Sequence, residues 1–144
     1  MTTPITKNPP TTYFQLATDC WTEPFWNATS EHRLEIPRCG ECGRFQMPPA
    51  PFCPACQSAE QEWVEVSGRG TIYSYTLITN PPFAEAAEHL PYAPALLELD
   101  DAPGVRLVSA IVNAPIDHVR IGARVTLCWQ DLPDGVSVPR FELT

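Results

Sequence analysis

Apolar and polar residues alternate over several short stretches of this chain of 144 residues, mostly in its second half. An alternation with a period of two residues is typical of half-buried β-strands. It predicts six strands, at 62–66, 71–78, 95–99, 105–112, 124–130 and 138–143. Turn-forming pairs such as Asp134-Gly135 separate them, and a segment rich in proline and alanine occupies 80–91.

The last five of these strands fall within residues 68–144, where we expect one small barrel. Five short strands with one long insertion fit a Greek-key barrel of the OB type, whereas a β-sandwich normally has about seven or more. The seventeen prolines of the chain also argue against long helices. The predicted fold class is therefore mainly β, with a five-stranded OB-fold barrel at the C-terminal end.

The N-terminal region lacks this alternation, and residues 1–32 are predicted to be a flexible leader followed by one short helix. A helix is expected over 23–31, because Thr22 offers a hydroxyl at the N-cap position and Pro24 suits the first turn. The adjacent Phe25 and Trp26 either enter a core or form a contact surface. We favour a contact surface or an interdomain face, because so short a helix has little core of its own to enter.

Four cysteines are spaced as two Cys-x-x-Cys pairs, Cys39 with Cys42 and Cys53 with Cys56, and ten residues separate the pairs. Two such pairs point four thiolates at one centre, which is the tetrahedral geometry that Zn²⁺ favours. Gly43 follows the first pair and suits a tight turn, whereas Gln57 holds the matching place after the second. Residues 33–67 are therefore predicted to form a zinc ribbon.

The zinc is expected to be structural, since four thiolates leave no coordination position open for a substrate. Iron in the same four sulfurs is chemically possible. Disulfides are disfavoured, because no N-terminal stretch has the pattern of a signal peptide, and a cytoplasmic location is expected. No apolar run reaches the roughly eighteen residues that a membrane span needs. Cys20 and Cys128 stand outside the pattern and are interpreted as small apolar residues in packed or half-packed places.

Charge argues against nucleic acid as a partner. The chain has 9 basic and 17 acidic residues and a formal net charge of −8, whereas nucleic-acid binding relies on many Lys and Arg contacts to phosphates. The alternative stays open because several arginines lie in or beside the predicted ribbon. These are Arg33, Arg38, Arg44 and Arg69.

The sequence offers no persuasive catalytic group. His32, His89 and His118 are scattered without metal-site spacing, and the adjacent carboxylates of Asp100 and Asp101 are accounted for by a turn. No phosphate-binding glycine loop or nucleophile elbow is present. We therefore do not expect the chain to catalyse a reaction alone.

Several short motifs occur in a fixed order along the chain. They are Arg38-Cys39-x-x-Cys42-Gly43, Cys53-Pro54-x-Cys56-x-Ser58, Trp63, Ser67-Gly68-x-Gly70, Ile121-Gly122 and Pro139-Arg140-Phe141. Together with the short aromatic helix, this order resembles the zinc-ribbon/OB-fold acyl-CoA-associated proteins, formerly a domain of unknown function. The resemblance covers the chain from about Thr22 to its C-terminus.

The resemblance implies a rubredoxin-like ribbon joined to an OB-fold barrel in a small non-catalytic subunit of a hetero-oligomer. Such subunits support thiolase-like enzymes, namely acyltransferases and aldolases, including those that shorten steroid side chains. They also accompany hot-dog-fold enoyl-CoA hydratases, which is the alternative reading. In several of them the barrel is suggested to receive part of an acyl-CoA.

Aromatic residues of the barrel and its insertion are the candidate acyl-CoA site: Tyr73, Tyr75, Phe83 and Tyr92. The alternative for Tyr73 and Tyr75 is that they pack the barrel interior. Aromatic residues near the helix and in the proline-rich insertion are the candidate partner-binding surface: Trp21, Phe25, Trp26 and Phe83.

Overall fold

A short helix and a two-stranded antiparallel ribbon form the first part of the chain in the computed structural model, which describes residues 2–12 and 15–144. Helix α1 is Glu23–Thr29, and strands β1 (Leu34–Cys39) and β2 (Gln61–Val66) pair along their whole length, from Leu34 opposite Val66 to Cys39 opposite Gln61. The helix ends two residues earlier than predicted, and His32 then reverses the chain with a φ of +58°.

The N-terminus of α1 is held differently from the prediction. Thr22 occupies the N-cap position, but its hydroxyl makes no capping hydrogen bond. Instead the carboxylate of Asp19 accepts the backbone N–H groups of Trp21 and Thr22, each at 2.9 Å. An aspartate ahead of the helix therefore organises the turn that begins it.

Five strands then close into a barrel, which confirms the predicted OB-type architecture. They are β3 (Arg69–Tyr75), β4 (Ala93–Leu99), β5 (Arg106–Ile111), β6 (Arg124–Asp131) and β7 (Ser137–Leu143). Their order around the barrel is β3-β4-β5-β7-β6, and antiparallel pairing of β3 with β6 completes the ring. Two 3-10 helices, Ala84–His89 and Ile116–His118, lie in the connections.

The pairing of β5 with β7 differs from the other pairings in the barrel. These strands run parallel, and their register consists of one residue pair, Ile111 opposite Phe141. At this pair the backbone N–H of Val112 donates to the carbonyl of Phe141 at 2.9 Å, and two residues earlier on each strand the Ser109 hydroxyl donates to the carbonyl of Pro139 at 2.7 Å. Backbone pairing in the barrel is therefore least extensive between β5 and β7.

The hydrophobic core is continuous from the barrel to the ribbon and helix. Ile72, Leu97 and Phe141 fill the barrel, and Leu34 and Ile36 of β1 belong to the same cluster of buried residues. Phe25 of α1 belongs to it as well and is 4% exposed. Phe25 therefore lies at the interdomain face and not on an exposed contact surface, because the ribbon shares its core with the barrel and the helix packs on both.

Part of the predicted flexible leader is bound to the barrel. Thr6 is buried, exchanges backbone hydrogen bonds with Ala114 and Asn113, and accepts the Ala114 N–H on its side-chain oxygen at 3.0 Å. Lys7 N–H donates to the carbonyl of Pro91 at 2.9 Å. These bonds satisfy backbone groups at the edge of a connection, and no apolar periodicity is needed to form them. Residues 1, 13 and 14 of the predicted leader lie outside the described residues.

Over residues 2–12 and 15–144, no helix is long and apolar enough to cross a membrane.

Candidate functional site

The four cysteines of the two Cys-x-x-Cys pairs meet at one point beside the ribbon. Their Sγ atoms all lie within 4.8 Å of one another, with Cys39 and Cys56 3.5 Å apart and Cys42 and Cys53 3.6 Å apart. Four sulfurs around a zinc ion, each about 2.3 Å from it, lie about 3.8 Å from each other. A disulfide would bring two sulfurs to about 2.05 Å. The arrangement therefore fits a metal ion and leaves the cysteines unpaired.

The two halves of the site have the same backbone structure. The Gly43 N–H donates to the carbonyl of Cys39 at 3.1 Å, and the Gln57 N–H donates to that of Cys53 at 2.8 Å. Both donors have a left-handed backbone, with φ of +79° for Gly43 and +62° for Gln57. Gln57 thus adopts the conformation for which glycine is better suited.

Backbone N–H groups surround the sulfurs and favour their charged form. Those of Cys42 and Glu41 donate to the Cys39 sulfur at 3.5 Å and 3.4 Å and lower its pKa to about 6. The N–H groups of Cys56 and Ala55 likewise lower the pKa of Cys53. Such donors stabilise thiolates, which are the species that bind zinc.

The second cysteine of each pair has a raised pKa in the absence of metal. The backbone N–H of Arg44 lowers the pKa of Cys42, and the backbone N–H of Ser58 lowers the pKa of Cys56. The neighbouring sulfurs and burial outweigh these effects, and the pKa of Cys56 reaches about 12. Four negative charges so close together need a cation, so zinc binding must displace protons from these thiols. Zinc bound by all four sulfurs would stabilise the ribbon and have no position open for chemistry.

Two family models match consecutive parts of the chain. The rubredoxin-like zinc ribbon domain of ChsH2 matches residues 26–62, and the C-terminal OB-fold domain of ChsH2 matches residues 63–130. A DUF35 domain-containing scaffold protein of Methanothermobacter thermautotrophicus is 34% identical over 100 residues, which are 69% of this chain and 73% of that protein. The chain belongs to the DUF35 family. The family match and the cysteine geometry together support zinc as its structural metal.

Two further comparisons are with a larger relative and with a solved structure. A probable enoyl-CoA hydratase alpha subunit of Thermomonospora curvata is 38% identical over 118 residues, or 81% of this chain. The chain spans about a third of that protein, 36% of its length. A solved structure described as the Ltp2-ChsH2(DUF35) aldolase contains a chain that matches with a TM-score of 0.80 and 33% identity. The match covers 90% of this chain and 98% of that one.

The residues predicted to bind acyl-CoA do not form one cavity. Tyr73 is 43% exposed on β3, and the guanidinium of Arg106 lies 3.8 Å from the centre of its ring. Tyr75 is half-buried and borders a cavity of about 260 Å³ on β3, β4 and β5. Tyr92 exchanges backbone hydrogen bonds with Ile78, and half-buried Phe83 precedes the first 3-10 helix. Of the four, Tyr75 has the position most suited to a ligand.

The predicted partner surface is split in the same way. Trp21 is 43% exposed beside α1, and Trp26 is half-buried. Phe25 is buried beneath Trp26, with ring centres 5.0 Å apart and ring planes at 86°. Trp21 and Trp26 therefore stay available to a partner, whereas Phe25 supports Trp26 from below.

One cavity was not anticipated from the sequence. It has a volume of about 330 Å³ and lies where β5 and β7 separate, between α1, the loop containing Met47 and the barrel wall. Trp26, Val108 and Arg140 are among its lining residues. We name it the seam cavity. Strand alternation predicts that the side chains of Val108 and Arg140 point out of the barrel. No sequence pattern, however, indicates that helix α1 lies over them.

The three histidines lie apart, each beside a carboxylate on the surface. His32 contacts Asp131, while His89 and His118 lie beside Glu88 and Asp117, their immediate neighbours in the chain. This placement brings no histidine to the cysteine cluster or the seam cavity.

Proposed function

We propose that this DUF35 chain is a non-catalytic accessory subunit that binds a thiolase-like aldolase or acyltransferase and helps it to handle acyl-CoA. The observation that carries the proposal is the match to the DUF35 chain of the Ltp2-ChsH2(DUF35) aldolase, which extends over 98% of that chain at 33% identity. A match of this extent includes both the ribbon and the barrel, so the whole unit is shared and not the metal site alone.

A second candidate partner is a hot-dog-fold enoyl-CoA hydratase. The 38% identity to a probable enoyl-CoA hydratase alpha subunit favours it. In both cases the DUF35 chain serves an enzyme whose substrate is an acyl-CoA, and the two proposals differ in the fold of the larger subunit.

Three aromatic residues with accessible surface are the proposed partner contacts. Trp21 precedes α1, Trp26 belongs to it, and Phe83 lies in the proline-rich insertion. Central aromatic residues often contribute about 2 kcal/mol or more to binding, which corresponds to roughly thirtyfold in affinity. The barrel residues Tyr73, Tyr75, Phe83 and Tyr92 are the proposed contacts to acyl-CoA, with Tyr75 the first to test because it borders a cavity.

The test is co-purification with each class of enzyme. The tagged chain is co-expressed with a thiolase-like aldolase and, separately, with an enoyl-CoA hydratase. Each enzyme is chosen from genes that neighbour the gene of this chain or of a relative, where such genes are found. We expect a stable complex with the aldolase and enzyme activity that depends on the DUF35 chain. Trp26→Ala should weaken the complex about thirtyfold, whereas Ile121→Ala, which truncates an apolar residue that is 69% exposed, should not.

The outcomes separate the two partners. A complex with the hydratase and none with the aldolase would establish the second candidate. Failure to bind either enzyme, with zinc content and fold intact, would contradict both.

A further inference from the structure

The seam cavity exists because two strands of the barrel separate. The parallel register of β5 and β7 consists of one residue pair, Ile111 and Phe141, and toward the N-terminal ends of the strands their outward residues, Val108 on β5 and Val138 on β7, line the cavity. Trp26 of α1 and Met47 of the ribbon cover it. The helix, the ribbon and the barrel thus all contribute to one apolar cavity, and its volume lies at the lower end of the range for small-molecule sites.

Among the described residues that line the cavity, all are apolar except the two arginines. Val108 is 74% exposed at the rim, which is unusual for a large apolar strand residue and leaves an apolar surface open to a ligand. Arg106 turns its guanidinium away, over Tyr73 and within 3.5 Å of Glu98. Arg140 is therefore the cation left to face an occupant.

Arg140 has no anionic partner among the described residues. Its Nε donates to the side-chain oxygen of Gln130 at 2.9 Å, and no carboxylate of residues 2–12 or 15–144 lies within 4 Å of its guanidinium. By contrast, Arg38 and Arg124 each pair with a carboxylate on this acidic chain. Burial lowers the pKa of Arg140 to about 10, so the group stays charged at neutral pH while partly removed from water. A half-buried, unpaired cation favours an anion beside it.

We propose that the seam cavity binds a small amphipathic carboxylate, whose apolar chain lies against Trp26, Met47 and Val138 and whose carboxylate pairs with Arg140. A small molecule fits better than a protein segment because the cavity is bounded by three parts of this same chain. Its volume of about 330 Å³ lies at the lower end of the range of about 300–1,000 Å³ for small-molecule sites, so a ligand as small as a medium-chain fatty acid is the size to test. This site adjoins the cavity beside Tyr75, with which it shares Val108, and differs from it in having Arg140 in its lining.

The first experiment uses sodium octanoate as the probe and octan-1-ol as its uncharged counterpart. Each is titrated into the zinc-loaded full chain by calorimetry, with tryptophan fluorescence as a second readout because Trp26 lines the cavity. We expect saturable octanoate binding at least tenfold tighter than octanol binding. Equal affinities, or no saturable octanoate binding at millimolar concentration, would overturn the proposal.

Variants then test the role of the charge. Arg140→Gln should weaken octanoate binding at least tenfold and leave octanol binding unchanged, while Arg120→Gln, an arginine outside the cavity lining, should change neither. If Arg140→Gln alters zinc content or unfolding, Val108→Asp replaces it, because this exposed position tolerates a polar side chain and a carboxylate there repels the ligand. Val108→Asn is its uncharged control. The proposal is overturned if octanoate affinity is unchanged in Arg140→Gln, or in Val108→Asp where Arg140→Gln has altered zinc content or unfolding.

A last measurement distinguishes a small ligand from an acidic side chain of the partner. Octanoate binding is repeated in the purified complex with the larger subunit, where we expect it to persist. Complete loss in the complex would assign the cavity to the partner and overturn the proposal. The isolated-chain titration does not depend on that partner, so its result stands whether or not the proposed enzyme complex forms.

Discussion

The imidazole of His32 lies parallel to the indole of Trp129, with ring centres 5.0 Å apart and ring planes at 5°, and its Nε2 atom is 2.7 Å from a carboxylate oxygen of Asp131. His32 belongs to the turn between α1 and β1, whereas Trp129 and Asp131 belong to β6. The Ser137 hydroxyl donates to the same Asp131 oxygen at 2.6 Å. The stacking and the hydrogen bond of His32 therefore add to the contacts that join the helix and ribbon to the barrel.

Asp131→Asn should reduce the acid sensitivity of folding. Hydrogen bonds from Ser137 and His32 lower the pKa of Asp131 in the folded chain, so its stabilising effect is present above its unfolded pKa of about 4. That effect is lost as the pH falls through the folded value. We expect the wild-type free energy of unfolding, measured in urea, to fall more between about pH 5 and pH 3 than that of the variant.

Asp117→Asn is the matched control, because the Asp117 carboxylate lies 3.9 Å from His118 in a separate turn. Identical pH profiles for wild type and Asp131→Asn would mean that the Asp131 carboxylate, with its hydrogen bonds from Ser137 and His32, contributes nothing to the pH dependence of folding.

Replacing Cys56 with serine should release the metal and unfold the ribbon. Structural zinc sites contribute directly to folding, and loss of one thiolate removes a quarter of the ligand set. We expect about one zinc per wild-type chain by elemental analysis and much less in the variant, with a loss of ribbon signals in NMR spectra. Cys20→Ser, an exposed cysteine outside the cluster, should retain its zinc. Iron in the purified protein, or a metal-free variant with a folded ribbon, would contradict the assignment.

Gln57→Gly should stabilise the ribbon. Gln57 has a φ of +62°, where a residue with a Cβ atom is disfavoured by about 1–2 kcal/mol. Glycine removes this strain but is more flexible in the unfolded chain, so we expect a net gain of about 0.5–1 kcal/mol in urea unfolding of the zinc-loaded protein.

The corresponding change in the other half of the site is the control. Gly43→Ala should destabilise by about 1 kcal/mol, because Gly43 has a φ of +79° and no atom within 4 Å of an added Cβ, so backbone strain is the sole cost. A loss of stability in Gln57→Gly would show that the glutamine side chain makes a contact more important than the strain.

The sequence was sufficient for those features whose signal is local. Alternation located all five barrel strands, and the cysteine spacing located a cluster that the structure brings within 4.8 Å. Relationships between distant segments were not accessible. The burial of Phe25 depends on a core shared between ribbon and barrel, and Thr6 is held by backbone hydrogen bonds that carry no side-chain pattern. The seam cavity likewise depends on where two parallel strands separate, which alternation along either strand cannot show.

Gly70→Ala should be strongly destabilising, because β3 at this point is paired on both sides. Gly70 lies opposite Leu99 of β4 and Val125 of β6, where the barrel closes. A Cβ at Gly70 would collide with the backbone carbonyl of Glu98 and come within 3.4 Å of the Leu99 Cα. Backbone atoms in a ladder cannot move aside without breaking its hydrogen bonds, so we expect the free energy of unfolding in urea to fall by more than about 2 kcal/mol.

Gly104→Ala is the control, because Gly104 has a φ of +86° and open space around an added Cβ; its free energy of unfolding should fall by only about 1 kcal/mol. Equal losses would mean that β3 can shift relative to β4, and that closure of the barrel does not depend on the close approach of the two backbones at Gly70.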